Sequence, residues 1–484
     1  MMSFFTSDLF LAILPEIGLL FLAGVLLTLS LLKKQNVNCC LGRITAIGSA
    51  IVLVLAIFFS MPGEEVQFLW GGILRLDYTG FLFRILFLAG VSLTAAFAST
   101  DETIKDRPEF YALLVFSAIG MSFMASAGDL IMLFLAIETA SIPLYVLAGV
   151  KIRDEKSVEA GIKYFLFGAM ASAIMLFGFS ILYGMTGTTR INELYTSIVV
   201  AVTPMAGLMV GVLLILAGFT FKISAVPFHF WAPDVYEGAP TPVAGYLSTA
   251  SKAAGFAIIL RLVAIMMGFE HTNTLHLLIA LLATASMFVG NLVAISQKNF
   301  TRLLAYSSIA QAGYILIGVS TGTQFGFTAV IYYLMAYLVT NLALFAMIGW
   351  VERVSGSADL SAFAGLHRRS PVLAFGILMG LLSLGGIPPF AGFFAKLLVF
   401  GAAVEADMAW LAIIGIINSV VALYYYLRIL KLMYVDEPQG DFTPTAIPVL
   451  WAIGLGVCLL AVVVLGVILT PWFDFASLAA LELR

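Results

Sequence analysis

Six side chains lie in stretches apolar enough to sit inside a bilayer, and their types suit work with protons. Glu138 stands in the run Leu133-Phe134-Leu135-Ala136-Ile137-Glu138-Thr139, flanked on both sides by apolar or small residues. Lys252 lies deep in its own stretch among Ser248, Thr249, Ala250, Ser251, Ala253, Ala254 and Gly255, small neighbours that let a partner helix or a file of waters approach closely. Lys222 closes the apolar run 206–222, Lys396 lies just beyond Pro389, and Lys163 and His229 complete the set. An ionisable group at the bilayer centre costs roughly 2.5–3.5 kcal/mol on insertion scales, so such residues face protein or water and are functional candidates by default. Desolvation disfavours a charged ammonium and a nearby carboxylate favours it, so buried lysines beside a glutamate can hold and release protons. A Glu138–Lys222 pair would keep the lysine charged, and separating it would pass the proton to Lys252. Duller alternatives stay open: Glu138 capping a helix break, Lys163 snorkelling out along its stem, and His229 packing structurally beside aromatics. Glu16, next to Pro15, reads as interfacial.

Two interruptions give these residues a setting. In Lys222-Ile-Ser-Ala-Val-Pro-Phe-His-Phe-Trp231 the chain stays apolar past Pro227, which cannot donate to the carbonyl of Ile223. In Gly385-Gly-Ile-Pro-Pro389 the prolines release the carbonyls of Leu384 and Gly385. Broken backbone at membrane depth survives only inside protein or beside a wet cavity. Discontinuous segments at corresponding positions of two halves point to a transporter built from repeats.

The elements that must carry these groups are membrane helices. The chain has 484 residues, 62% hydrophobic and 11% charged, where a soluble domain has about 25% charged residues. With 24 Lys+Arg against 27 Asp+Glu the charge is too balanced for nucleic-acid binding. A disulfide scaffold and a disordered chain are excluded as well, leaving an all-α integral membrane protein in contact with the lipid bilayer. Runs of about 20 apolar residues fall near 9–32, 43–61, 80–99, 108–126, 129–150, 158–184, 205–224, 241–268, 273–296, 301–320, 326–350, 371–404, 408–434 and 445–470. That is about fourteen transmembrane helices, two of them interrupted. The runs are continuous rather than alternating, which excludes a β-barrel. The first is too long, and too little preceded by basic residues, for a cleaved signal peptide.

With the N-terminus outside, inner loops hold fifteen Lys and Arg, from Lys33 and Lys34 to Arg428 and Lys431, while outer segments hold only Arg75, Arg190 and Arg484. This bias places both termini outside. Arg84 and Arg261 are read as lying towards span ends. Cys39, Cys40 and Cys458 form no metal or disulfide pattern, and His229, His271, His276 and His367 are scattered. With no phosphate-cradling loop or dinucleotide fingerprint, no redox centre, metal site or cofactor site is expected in this chain.

The joint motifs resemble the antiporter-like membrane subunits of respiratory complex I over essentially the whole chain, and the N-type among them most closely. The resembling stretches are Glu138–Pro143, Glu159–Tyr164, Lys222–Trp231, Pro233–Pro240, Ala250–Lys252, Lys298–Ser308, Gly385–Lys396 and Tyr424–Arg428. Lys396 stands where the M-type typically has Glu, and too little chain follows residue 470 for the lateral helix of the L-type. The resemblance implies two inverted five-helix repeats, approximately 108–268 and 273–434. It implies proton-channel roles for Glu138, Lys222, Lys252 and Lys396, with Lys163 and His229 as lesser members. It further implies an NADH:quinone oxidoreductase in a bacterial cytoplasmic membrane, with NADH, FMN, iron–sulfur clusters and quinone in partner subunits, and M-type and small K-type membrane neighbours. The rival expectations are a subunit of a multi-chain cation/proton antiporter, and a related complex using ferredoxin or F420 as donor.

Overall fold

The computed structural model describes residues 11–32, 40–63, 65–200, 205–266, 272–438 and 447–483. Lys33, Lys34, Cys39, His271 and Arg484, which entered the sequence reading, lie outside them. Among the described residues twelve helices are long and apolar enough to cross a membrane. Two shorter apolar helices, Gly207–Lys222 and Pro371–Gly385, bring the pattern to fourteen. Both are the leading parts of interrupted segments, which continue as Trp231–Gly238 and Ala391–Glu405. The only strands among the described residues are a small antiparallel hairpin, Gln67–Leu69 with Leu74–Leu76.

The helix ends follow from local chemistry. Asp77 accepts from the amide of Gly80 at 2.7 Å, Asp129 from Ile131 at 2.7 Å and Asn299 from Arg302 at 3.0 Å. Each satisfies one of the amides that a helix start leaves open. Gly187, Gly322 and Gly356 close their helices in the left-handed conformation that suits glycine.

Packing inverts the usual rule of burial. In Phe300–Thr321 and Gln324–Ser355, 94% and 89% of the spanning window is buried inside the protein, against 33% for Leu14–Leu31 and for Glu155–Thr186. The peripheral spans are the more hydrophobic ones, because lipid is their solvent. Polar residues therefore gather on the innermost helices, where hydrogen bonds hold helices together.

Charged residues lie at the two ends of the bundle. At one end Glu102 pairs with Arg353 at 3.1 Å and Lys151 lies 3.9 Å from Asp101. At the other, Arg261 binds Asp77 through two bonds of 2.6 and 2.7 Å and Arg75 joins the same carboxylate at 2.8 Å. The residues after 470 form a further helix, Leu469–Leu481, whose Ala479 carbonyl accepts from the Thr79 hydroxyl.

The structure adds burial and partners to two of these readings. Glu16 is buried and ion-paired with Arg84 at 2.8 Å. Arg84 and Arg261, read as lying towards span ends, are buried inside the protein. Hydropathy reads how far a residue lies along its own span; it cannot see an ion partner on another helix.

Candidate functional site

The helix Met205–Lys222 stops at Lys222, and the backbone exposed by the stop is taken up by side chains. Trp231 Nε1 donates to the Phe221 carbonyl at 3.1 Å, and the Val226 amide donates to Ser286 Oγ at 3.0 Å. The Val226–Pro227 bond within the break is cis. Lys222, 7% exposed, donates through Nζ to Ser141 Oγ at 2.8 Å. Ser141 belongs to Leu130–Ala148 and stands three residues after Glu138, so the two neighbour each other on that helix's surface. Among the described residues Glu138 and Lys222 form no salt bridge: the ammonium meets a hydroxyl, while Glu138 Oε1 is buried without a hydrogen-bond partner. A cavity of about 20 Å³ beside Lys222, lined partly by Ser141, Tyr145 and Ser172, has room for one water.

Lys222 also adjoins the helix that carries Lys252. A Cβ on Gly255 would come within 3.2 Å of Lys222 Cγ and 2.8 Å of Ile223 Cγ2, so only a glycine admits this approach. Lys252 follows a wide turn, Leu247–Ser251, in which the α-helix loosens to π geometry, a feature frequent at functional sites. Its Nζ donates to both the carbonyl and the hydroxyl of Ser308, at 2.9 Å each, from a side chain only 2% exposed.

Lys396 is held by the second interruption. Gly386 caps Pro371–Gly385 in the left-handed conformation, at φ +83°. A Cβ on Gly392 would sit 1.9 Å from the Ser383 carbonyl oxygen, so the two fragments touch backbone to backbone. The Pro388–Pro389 bond is cis. Both carbonyls released by the prolines find donors. Gln311 Nε2 donates to Leu384 O at 3.3 Å, and Lys396 Nζ and Ser419 Oγ each donate to Gly385 O at 3.3 Å. Lys396 also donates to Ser419 Oγ at 2.7 Å and lies 4.7 Å from the centre of the Tyr314 ring. The ammonium thus rests at the negative, C-terminal end of a half-helix and over an aromatic face, both favourable to a cation.

The two lesser candidates lie apart. Lys163 pairs with Glu159 at 2.5 Å and Asp234 at 2.6 Å. Arg302 binds Asp234 at 2.8 Å and Glu237 at 2.9 Å, and Lys156 binds Glu237 at 2.8 Å. Lys163 therefore belongs to an ion network at the end of the bundle. Burial would raise the Asp234 and Glu237 carboxyls, but hydrogen bonds from Lys163, Lys156 and Arg302 outweigh it and hold both below the usual carboxylate range. His229 is buried against Phe230, with ring centres 4.4 Å apart, and its Nδ1 has no hydrogen-bond partner. Among the described residues no three metal-binding side chains converge.

Sequence reasoning missed the polar partners: the acceptors Ser141, Ser308 and Ser419, the donor Gln311, and the Asn291–Tyr314–Asn418 cluster, in which Asn291 Nδ2 donates to the Tyr314 hydroxyl at 3.1 Å and to the Asn418 carbonyl at 3.1 Å. The available signal was Ser307, Ser308, Gln311 and Tyr314 recurring at helical spacing in an otherwise apolar span.

Residues 127–422 match the family described as NADH:quinone oxidoreductase/Mrp antiporter, TM. The NADH-quinone oxidoreductase subunit N of Moorella thermoacetica is 43% identical over 458 residues, covering 94% of this chain and 95% of that relative. A chain of the solved respiratory complex I of Thermus thermophilus matches with TM-score 0.81 at 32% identity, over 95% of this chain and 98% of that one. A chain of the Mrp complex from Dietzia shares the fold, with TM-score 0.83 at 24% identity over 99% of this chain and 98% of that one. This chain belongs to the NADH:quinone oxidoreductase/Mrp antiporter transmembrane family.

Proposed function

We propose that the chain is the N-type, proton-translocating membrane-arm subunit of an NADH:quinone oxidoreductase. One observation carries this reading. Lys222, Lys252 and Lys396 are buried inside the protein and held by hydroxyls and backbone carbonyls, and none forms an ion pair among the described residues. A lysine held by neutral dipoles can lose and regain its proton without stranding an opposite charge, whereas breaking a buried ion pair leaves an uncompensated charge. Protons then pass through Lys222, Lys252 and Lys396, with His229 beside the first break and Lys163 in the network at the end of the bundle.

Moving one charge against 100 mV takes about 2.3 kcal/mol, and that energy reaches the chain from its neighbours. Glu138 is suited to sense them. On its helix, Ile131, Leu135, Ile142 and Val146 form an exposed apolar stripe that passes through the half-buried Glu138. A neighbouring subunit of M type or K type covering that stripe changes the field at Glu138 and, through Ser141, at Lys222. Electron transfer from NADH through FMN and iron–sulfur clusters to quinone belongs to partner subunits. The assembly resides in a bacterial cytoplasmic membrane with both termini of this chain outside. The broken segments fall one in each of two inverted five-helix repeats, approximately 108–268 and 273–434.

The fold shared with the Mrp complex favours a second reading, a subunit of a cation/proton antiporter. Mild extraction followed by native electrophoresis separates the two. Migration in a large assembly that reduces an acceptor with NADH supports the first reading. Migration with several similar membrane chains, and Na⁺-driven proton exchange without NADH, supports the second.

A further inference from the structure

Between Lys252 and Lys396 runs a set of polar contacts that all touch the helix Phe300–Thr321. Ser308 receives the Lys252 ammonium and the Tyr314 ring faces the Lys396 ammonium. Ser307, Gln311 and Tyr314 stand at i, i+4 and i+7, hence on one face. Gln311, in the middle of that face, is 1% exposed. Its Nε2 donates to Leu384 O at 3.3 Å and to the Tyr426 hydroxyl oxygen at 3.4 Å, and its Oε1 accepts from the Tyr333 hydroxyl. A carbonyl only accepts, so the amide nitrogen must face Leu384 and the orientation of Gln311 is settled.

A direction follows for the next link. Tyr426 shares a hydrogen bond with Ser307 in which either oxygen could be the donor. Gln311 fills one acceptor position of the Tyr426 oxygen, so the Tyr426 proton points away from Gln311, and Ser307, the residue next to the acceptor of Lys252, is bonded to the same oxygen. The same amide grips Leu384 O, one residue from the carbonyl that holds Lys396. We propose that Gln311 is a positioning residue for proton transfer between Lys252 and Lys396: it turns the proton of the Ser307-bonded Tyr426 hydroxyl away from itself and ties that hydroxyl to the second helix break. The inference rests on the reading of these lysines as proton carriers.

The test is NADH-driven acidification of inverted vesicles per assembled complex, measured across pH for Gln311→Leu and Gln311→Glu. Leucine removes every polar contact. Glutamic acid when neutral keeps a donor and an acceptor, and when ionised it can no longer donate to Leu384 O or to Tyr426. The ionisable groups around this position are Tyr333 and Tyr426, bonded to it directly, and Tyr314, Tyr337 and Tyr425 beside those two, with Lys252 held by Ser308 and Lys396 by the Gly385 carbonyl. Gln311→Leu is expected to lose about tenfold or more of pumping at every pH. Gln311→Glu is expected to retain more than Gln311→Leu in acidic medium and to lose that advantage as the medium becomes alkaline. Full pumping by Gln311→Leu overturns the inference, and so does equal impairment of both variants at every pH, which marks a merely structural role. If Gln311→Leu fails to assemble, the profile of Gln311→Glu decides alone: a decline towards alkaline pH supports the inference and a flat profile overturns it. Lys396→Ala in the same vesicles keeps the two levels apart. Full pumping by that variant defeats the underlying reading, whereas its loss leaves the Gln311 result to bear on this inference alone.

Discussion

The two broken helices solve one problem with different means. At the first, the lysine ends its own helix and leans on a neighbouring one, through a single hydroxyl, Ser141, with a carboxylate one turn away on the same surface. At the second, the lysine stands inside the later fragment and reaches back to the carbonyl that the prolines released, with Ser419 and an aromatic face as further partners. Lys222 can therefore be tuned by the charge of Glu138. Lys396 is held by fixed dipoles. The difference teaches that a buried ammonium needs no counter-ion if a helix end is turned towards it; under the proposed function, the arrangement with a carboxylate at hand is the one a neighbouring subunit would control.

This comparison can be broken in several places. The largest effect is expected for Lys396→Arg. Arginine keeps the cation but does not release its proton, so acidification per NADH should fall about tenfold or more. A purely structural cation would be rescued by the same change. Next comes Gly392→Ala, whose methyl would meet the Ser383 carbonyl oxygen. It should destabilise the second break by roughly 1–3 kcal/mol, visible as a lower melting temperature of the assembled complex. Gly255→Ala would press its methyl into Ile223 Cγ2 and the Lys222 stem at the first break and should displace Lys222 and lower pumping. Smaller again is the contrast between Ser141→Ala and Ser419→Ala. The first removes the one hydrogen-bond partner that Lys222 has among the described residues, a loss of about 1–3 kcal/mol, while the second leaves Lys396 the Gly385 carbonyl. Pumping should suffer more from Ser141→Ala.

The smallest effect belongs to the ion network of Asp234 and Glu237. Their carboxyls are held below the usual range when folded. The stabilisation is therefore present above the unfolded carboxylate pKa and is lost as pH falls through the folded values. Because these groups are partly exposed, at most about 1 kcal/mol is involved. Asp234→Asn should flatten the acid side of a thermal-stability profile by that amount, and an unchanged profile would remove the network from the account.

What could be read in advance was what hydropathy and proline determine locally: the spans, both interruptions and the buried lysines. The charge bias grouped Lys151 with Arg353 and set Arg75 apart, and in the structure the first two lie at one end of the bundle and Arg75 at the other. What stayed hidden were partners supplied by packing. Nothing near Lys222 in sequence points to Ser141, and nothing near Glu16 points to Arg84. The widened turn before Lys252 was hidden too, because its small residues fit an α-helix equally well.

The central claim, that neutral-dipole-held lysines carry protons across the membrane, is tested most directly at Lys252, the link between the two breaks. Lys252→Met keeps the length of the side chain and removes the titratable group. In assembled complex reconstituted into vesicles, the account predicts that protons moved per NADH oxidised fall for this variant while the complex remains intact by native electrophoresis. An unchanged ratio at an unchanged rate would contradict it.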